Sequence, residues 1–158
     1  MHFFILIPVS SNAGEPKQTT ATYGDWTVRC ATRNTDTGRI CELVQSVRTR
    51  GNRGILTQIA IGKLPGAKVM KMVFQVPTNV LLANGVTLTL DGTDVLNANF
   101  LFCTPSSCLA ELEFTAEIQT KLQQAKKAAI KFVMVNRKDI SVPMSLKGFA
   151  DAFIGITK

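Results

Sequence analysis

A chain of 158 residues with 46% hydrophobic and 18% charged side chains is long enough for one domain with a substantial core and too short for two ordinary ones. That balance excludes a disordered polymer, and beyond the amino-terminal run no apolar stretch approaches the ~20 residues a membrane-spanning helix needs. The formal net charge of +7 is unevenly spread: between Trp26 and Lys71 nine basic residues stand against two acidic ones, so the rest of the chain is balanced.

His2-Phe3-Phe4-Ile5-Leu6-Ile7-Pro8-Val9 followed by Ser11-Asn12-Ala13 has the apolar segment and small-residue cleavage pattern of a secretory leader, which predicts a signal peptide over 1–13 and an exported protein. The only histidine, His2, falls in that leader. A mature chain without histidine has no Ser-His-Asp or Cys-His nucleophile activation, no histidine-bound zinc and no ordinary general base near neutral pH. Residues 14–22 are polar and contain Pro16, and read as a flexible lead-in. A single domain is expected over 23–158.

Gly24-Asp25-Trp26-Thr27-Val28-Arg29-Cys30 and Ile40-Cys41-Glu42-Leu43-Val44-Gln45 organise that domain. Alternation puts Trp26, Val28 and Cys30 on one strand face, and Cys41, Leu43 and Gln45 on one face of the next. Pairing Cys30 with Cys41 across an antiparallel hairpin sets Val28 opposite Leu43 and Trp26 opposite Gln45. The other two cysteines, Cys103 and Cys108, flank a short link between two strand-like runs. Local disulfides suit export and this placement; a four-cysteine zinc site is the rival reading, and neither spacing is C-x₂-C.

Further strands are expected over Cys41–Arg48, Ile55–Ile61, Val69–Val76, Val86–Leu90, Leu96–Cys103, Cys108–Phe114, Ile130–Val135 and Ile140–Pro143. Turn chemistry separates them, including Asn84-Gly85 and Asp91-Gly92. Thr115 is placed to cap a helix with Ile118, Leu122 and Ala125 on one stripe and Lys126-Lys127 in its last turn. Ser145 is placed to cap a terminal helix burying Leu146, Phe149 and Phe153. Many short strands with one or two helices predict an all-β, antiparallel β-sandwich.

No catalytic constellation is legible. Six of the nine basic residues in the cationic half are arginines, and Arg48, Arg50 and Arg53 crowd one hairpin tip, with Arg33 and Arg39 at another. Arginine's planar fork suits phosphate, sulfate and carboxylate, so these five form the candidate binding surface for an anionic glycan or protein of the envelope or a host surface; a solvated face serving solubility is the plainer alternative. Trp26, Met70, Met72 and Phe74 read as core. Glu111 and Glu113 share a face, a spacing a glycan-cleaving enzyme could use, although exposed charges explain it as well. Asp91 and Asp94 lack the other ligands of a calcium loop. No S-x-x-K supports Ser–Lys chemistry, and no aromatic-plus-basic strand supports nucleic-acid binding. No cofactor or metal is expected.

Taken together, Gly24–Cys30, Cys41–Gln45, Pro77-Thr78-Asn79-Val80-Leu81-Leu82-Ala83-Asn84-Gly85-Val86, Leu90-Asp91, Phe102-Cys103, Cys108-Leu109-Ala110 and Ile140-Ser141-Val142-Pro143-Met144-Ser145-Leu146-Lys147-Gly148-Phe149 resemble the invasion-associated locus B family of bacterial exported proteins. The likeness runs from about Tyr23 to the end. It implies an immunoglobulin-like β-sandwich, residence in the periplasm, at the outer membrane or outside the cell, and a link to host-cell entry in pathogenic members. It carries no catalytic residues. The expectation is therefore a non-enzymatic interaction protein, with a glycan-directed envelope enzyme or a ligand-free structural or stress factor as alternatives.

Overall fold

The computed structural model describes residues 17–32, 39–48, 55–63 and 67–157; the expected leader over 1–13 and residues 14–16 lie outside them. Ten strands run through the described residues: β1 (Lys17–Tyr23), β2 (Trp26–Thr32), β3 (Arg39–Arg48), β4 (Ile55–Gly62), β5 (Met70–Val76), β6 (Val86–Leu90), β7 (Thr93–Cys103), β8 (Cys108–Phe114), β9 (Ala128–Val133) and β10 (Asp139–Met144). Helix α1 (Ala116–Gln124) joins β8 to β9, and α2 (Phe149–Thr157) closes the chain. The strands pair antiparallel in the order β1-β2-β3-β4-β5-β8-β7-β6-β9-β10.

One long strand makes two layers from this order. The first part of β7 pairs with β6, from Thr93 opposite Leu90 to Ala98 opposite Val86. Its second part pairs with β8, from Asn99 opposite Glu111 to Cys103 opposite Cys108. Strands β1 to β5 with β8 therefore form one layer, β6, β9 and β10 the other, and β7 passes between them. The result is the antiparallel β-sandwich that the strand pattern predicts. Its inward residues form one cluster, with Trp26, Leu43, Ile59, Ile61, Met72, Phe74, Leu88 and Ile130 all fully buried.

The hairpin register is the one that alternation requires. Cys30 stands opposite Cys41 and Val28 opposite Leu43, and both local disulfides, Cys30–Cys41 and Cys103–Cys108, are formed. Trp26 and Phe74 sit in the core with Met72, and Met70 packs at its margin. Helix α2 roofs the open end of the sandwich: Phe149 meets Trp26 edge-on at 5.6 Å between ring centroids, and Phe153 lies 5.8 Å from Phe114. Such pairs add about 1 kcal/mol each beyond the area they bury.

The layers are sewn together at Ser145. The buried Gln45 side chain lies against the backbone of Ser145 as a neighbouring strand would: its Oε1 accepts from Ser145 N at 2.8 Å and its Nε2 donates to Ser145 O at 2.9 Å. Trp26 Nε1 donates to the same carbonyl at 3.0 Å, and Asp25 N donates to Lys147 O at 3.0 Å. Gly24 and Gly148 pass back to back here with φ of 57° and 85°, and a Cβ on either would run into the other segment's backbone. Only glycine tolerates both the left-handed backbone and the close approach.

Four expectations are corrected. Residues 17–22 are not a loose lead-in: they belong to β1, in which each residue from Lys17 to Tyr23 pairs with β2. Threonine-rich sequence favours extended backbone even where it carries no apolar stripe. Helix α1, capped by Thr115 Oγ1 accepting from Ile118 N at 3.2 Å, ends at Gln124, so Lys126 and Lys127 are outside it. Their backbone N–H groups instead donate to Asp91 Oδ1 at 3.0 and 2.9 Å. Strand β7 starts at Thr93, because Asp91 and Gly92 (φ 50° and 82°) make a two-residue turn of the primed type that suits hairpin twist. Ser145 does not cap α2; its hydroxyl accepts from Lys147 N and donates to the Asp25 carboxylate, and α2 begins at Phe149.

Candidate functional site

Of the five arginines, Arg39 and Arg48 are among the described residues. Arg39 and Arg48, both exposed, are the first and last residues of β3, which places them about 30 Å apart along a ten-residue strand at 3.4 Å per residue. Arg33 belongs to the segment joining β2 to β3, and Arg50 and Arg53 to the segment joining β3 to β4; all three lie outside the described residues. Arg39 and Arg48 thus mark opposite ends of β3.

On the outer face of the larger layer, beside the Arg39 end of β3, lies a groove of about 500 Å³. Alternation explains its lining. Where Val28, Cys30, Leu43, Ile59, Ile61 and Met72 point into the core, the residues between them point out. On a water-facing sheet these outward positions are expected to be polar. Here Ala31, Ile40, Ala60, Gly62 and Val73 occupy them and form an apolar floor across β2 to β5. Gly62 makes the dip: a Cβ there would come within 3.0 Å of Glu42 Cβ and 3.1 Å of Cys41 O.

Charged side chains border this floor. Arg29 and Glu42, opposite each other on β2 and β3, form an ion pair at 2.9 Å. Lys71 on β5 and Glu111 on β8 pair more loosely at 3.7 Å. Lys63, exposed at the end of β4, lines the groove and forms no ion pair with a described residue. A shallower hollow of about 310 Å³ adjoins on the other side of Arg29, bounded by Asp25, Thr27 and Ser46.

The remaining candidates are engaged in structure. Glu111 is tied to Lys71, while Glu113 stands opposite Lys71 in register, outside the groove and exposed. The groove's two carboxylates, Glu42 and Glu111, are carried by strands three steps apart, a backbone separation of about 14 Å. Asp91 receives two backbone N–H groups, as described above. Asp94 accepts from Lys131 Nζ at 2.9 Å and Thr89 Oγ1 at 3.0 Å, and these bonds, the lysine's first, hold its carboxyl below the usual range. Among the described residues no three His, Cys, Asp or Glu side chains gather closely enough to hold a metal ion, and no helix is long and apolar enough to cross a membrane.

The family model for the invasion associated locus B (IalB) protein matches residues 26–157. The chain belongs to the IalB family. Two relatives described as invasion protein B homologs, from Brucella abortus strain 2308 and from its biovar 1 strain 9-941, are each 30% identical over 135 residues, covering 83% of this chain and 75% of theirs. The crystal structure of invasion associated protein B from Bartonella henselae matches with a TM-score of 0.73 at 19% identity, covering 88% of this chain and 96% of that one. The IalB sandwich therefore extends to this chain. The sequence signal for the groove's floor is Ile59-Ala60-Ile61-Gly62: a four-residue run with no polar residue in either register makes that end of β4 apolar on its outer face as well as its inner one.

Proposed function

We propose that this IalB protein is an exported, non-catalytic contact protein whose partner carries dense negative charge. The observation behind this reading is the position of Arg48: exposed at the last residue of β3, it leads directly into the segment that holds Arg50 and Arg53. Three arginines in six positions at one end of a strand suit sulfate, phosphate or carboxylate groups on an extended polymer. The scaffold suits contact as well, because two disulfides brace the hairpins on either side of the sheet and accord with an oxidising compartment. The invasion named in its relatives' descriptions makes a sulfated or sialylated host surface the natural partner, with lipopolysaccharide the corresponding anion on the bacterial side.

The test replaces Arg48, Arg50 and Arg53 together with glutamine and compares retention on immobilised heparin and on lipopolysaccharide against ionic strength. Elution at clearly lower salt on one matrix identifies the partner class, with binding weakened about tenfold if each arginine contributes about 0.5 kcal/mol. Unchanged elution on both removes the proposal.

A further inference from the structure

The groove is a separate site from the arginine-rich end, and its chemistry selects a different ligand. Its floor is apolar where the fold does not require it to be: Ala31, Ile40, Ala60 and Val73 point away from the core and are only half-buried. A volume of about 500 Å³ falls in the range of sites for small molecules. Both carboxylates on the rim are already matched, Glu42 by Arg29 and Glu111 by Lys71. That leaves Lys63, at the mouth beside Gly62, as the cation without a described counter-ion.

An apolar trough bordered by one cation without a counter-ion among the described residues complements a molecule with an apolar body and one anionic head. We infer that the outer face of β2 to β5 binds a single linear amphipathic anion, its hydrocarbon lying over Ala60, Gly62 and Val73 and its head at Lys63. The loose Lys71–Glu111 pair at 3.7 Å and about a third exposed gives Lys71 the freedom to turn toward the same head. A carboxylate and a phosphate monoester present the same charge to a lysine, so a free fatty acid and an acylated phosphate both fit. A neutral chain of the same length fits the floor without the head contact.

The experiment titrates the purified protein by calorimetry with oleate, with 1-oleoyl lysophosphatidic acid and with oleyl alcohol, each below its aggregation threshold. The inference expects saturable one-to-one binding of at least one anion, tighter than the alcohol. Whichever anion binds more tightly names the source of the head group. Lys63→Glu is expected to weaken the anion about five- to tenfold and leave the alcohol unchanged, as reversing one solvent-exposed charge contact should. Ala60→Phe fills the trough and is expected to abolish binding of all three. Val73→Glu, which puts a carboxylate in the floor without adding bulk to the core, serves as a second variant, and near-ultraviolet circular dichroism of Trp26 checks that both retain the native core. Absence of saturable binding overturns the inference. So does anion binding that survives both Ala60→Phe and Val73→Glu in folded protein, and so does a finding that Ala60→Phe dissociates a dimer while no amphiphile binds.

Discussion

Replacing Gln45 with leucine isolates the join between the two layers. The side chain is 5% exposed and is bonded twice to the Ser145 backbone, at 2.8 and 2.9 Å. Leucine keeps most of the volume and removes both bonds. Each lost bond costs about 1 kcal/mol net, and Ser145 N–H, left part-buried without its partner, adds about 1 kcal/mol more. Ser145 O keeps Trp26 Nε1, so no second orphan arises. The expected loss is about 3 kcal/mol, which lowers the melting temperature by about 6–12 °C for a domain of this size. Urea denaturation followed by tryptophan fluorescence measures it directly, because Trp26 stands at the junction. Native-state hydrogen exchange supplies the local readout: the Ser145 amide should lose more protection than the drop that amides of β2 and β3 share through the lower global stability. A loss no larger than that of the exposed Ser46→Ala control, or unaltered protection at Ser145, would refute this account of how the layers are joined.

Three further perturbations follow from the same geometry. Gly148→Ala forces a Cβ into the Tyr23 carbonyl at a φ of 85°, and should cost on the order of 3 kcal/mol or abolish soluble expression, as read by yield and urea midpoint. Replacing Cys30 and Cys41 together with alanine opens a loop of sequence separation 11 and should cost about 3 kcal/mol, whereas the same change at Cys103 and Cys108, separation 5, should cost less; equal losses in thermal unfolding would contradict the loop-length argument. Asp94 has its carboxyl depressed in the folded state, chiefly by Lys131, so its contribution is present above the unfolded pKa of about 3.9 and disappears as pH falls through the lower folded value. The gap in urea midpoint between the parent protein and Asp94→Asn should therefore be open at pH 7 and closed at the acid end; a gap independent of pH would show that the Lys131 contact is not its source.

What could be read in advance depended on whether a residue's role leaves a periodic trace. The pairing of Cys30 with Cys41 fixed a register, and the faces of β2, β3, β5 and β8 followed by alternation. Strand β1 escaped because Gln18 to Thr22 are exposed throughout and show no apolar stripe; its order comes from backbone bonds to β2. Gln45 escaped for the opposite reason, since a polar residue among inward positions does not announce that it replaces a strand partner for Ser145. Nearness in sequence is a poor guide to nearness in space for Arg39 and Arg48, the first and last residues of β3. A hairpin strand as long as β3 carries its two ends far apart.

The bonds that close the sandwich join residues 100 to 120 positions apart in the chain. Hairpin contacts can form as soon as each pair of neighbouring strands exists, but the Trp26, Gln45 and Asp25 contacts must wait for Ser145 and Lys147. A polypeptide stopped after β10 could possess every strand register and still lack its final fastening. Folding of this protein should therefore show an early collapse of hairpins and a slow last step set by the arrival of its final fourteen residues, and shortening the carboxyl terminus should leave a ribbon of paired strands that never becomes a sandwich.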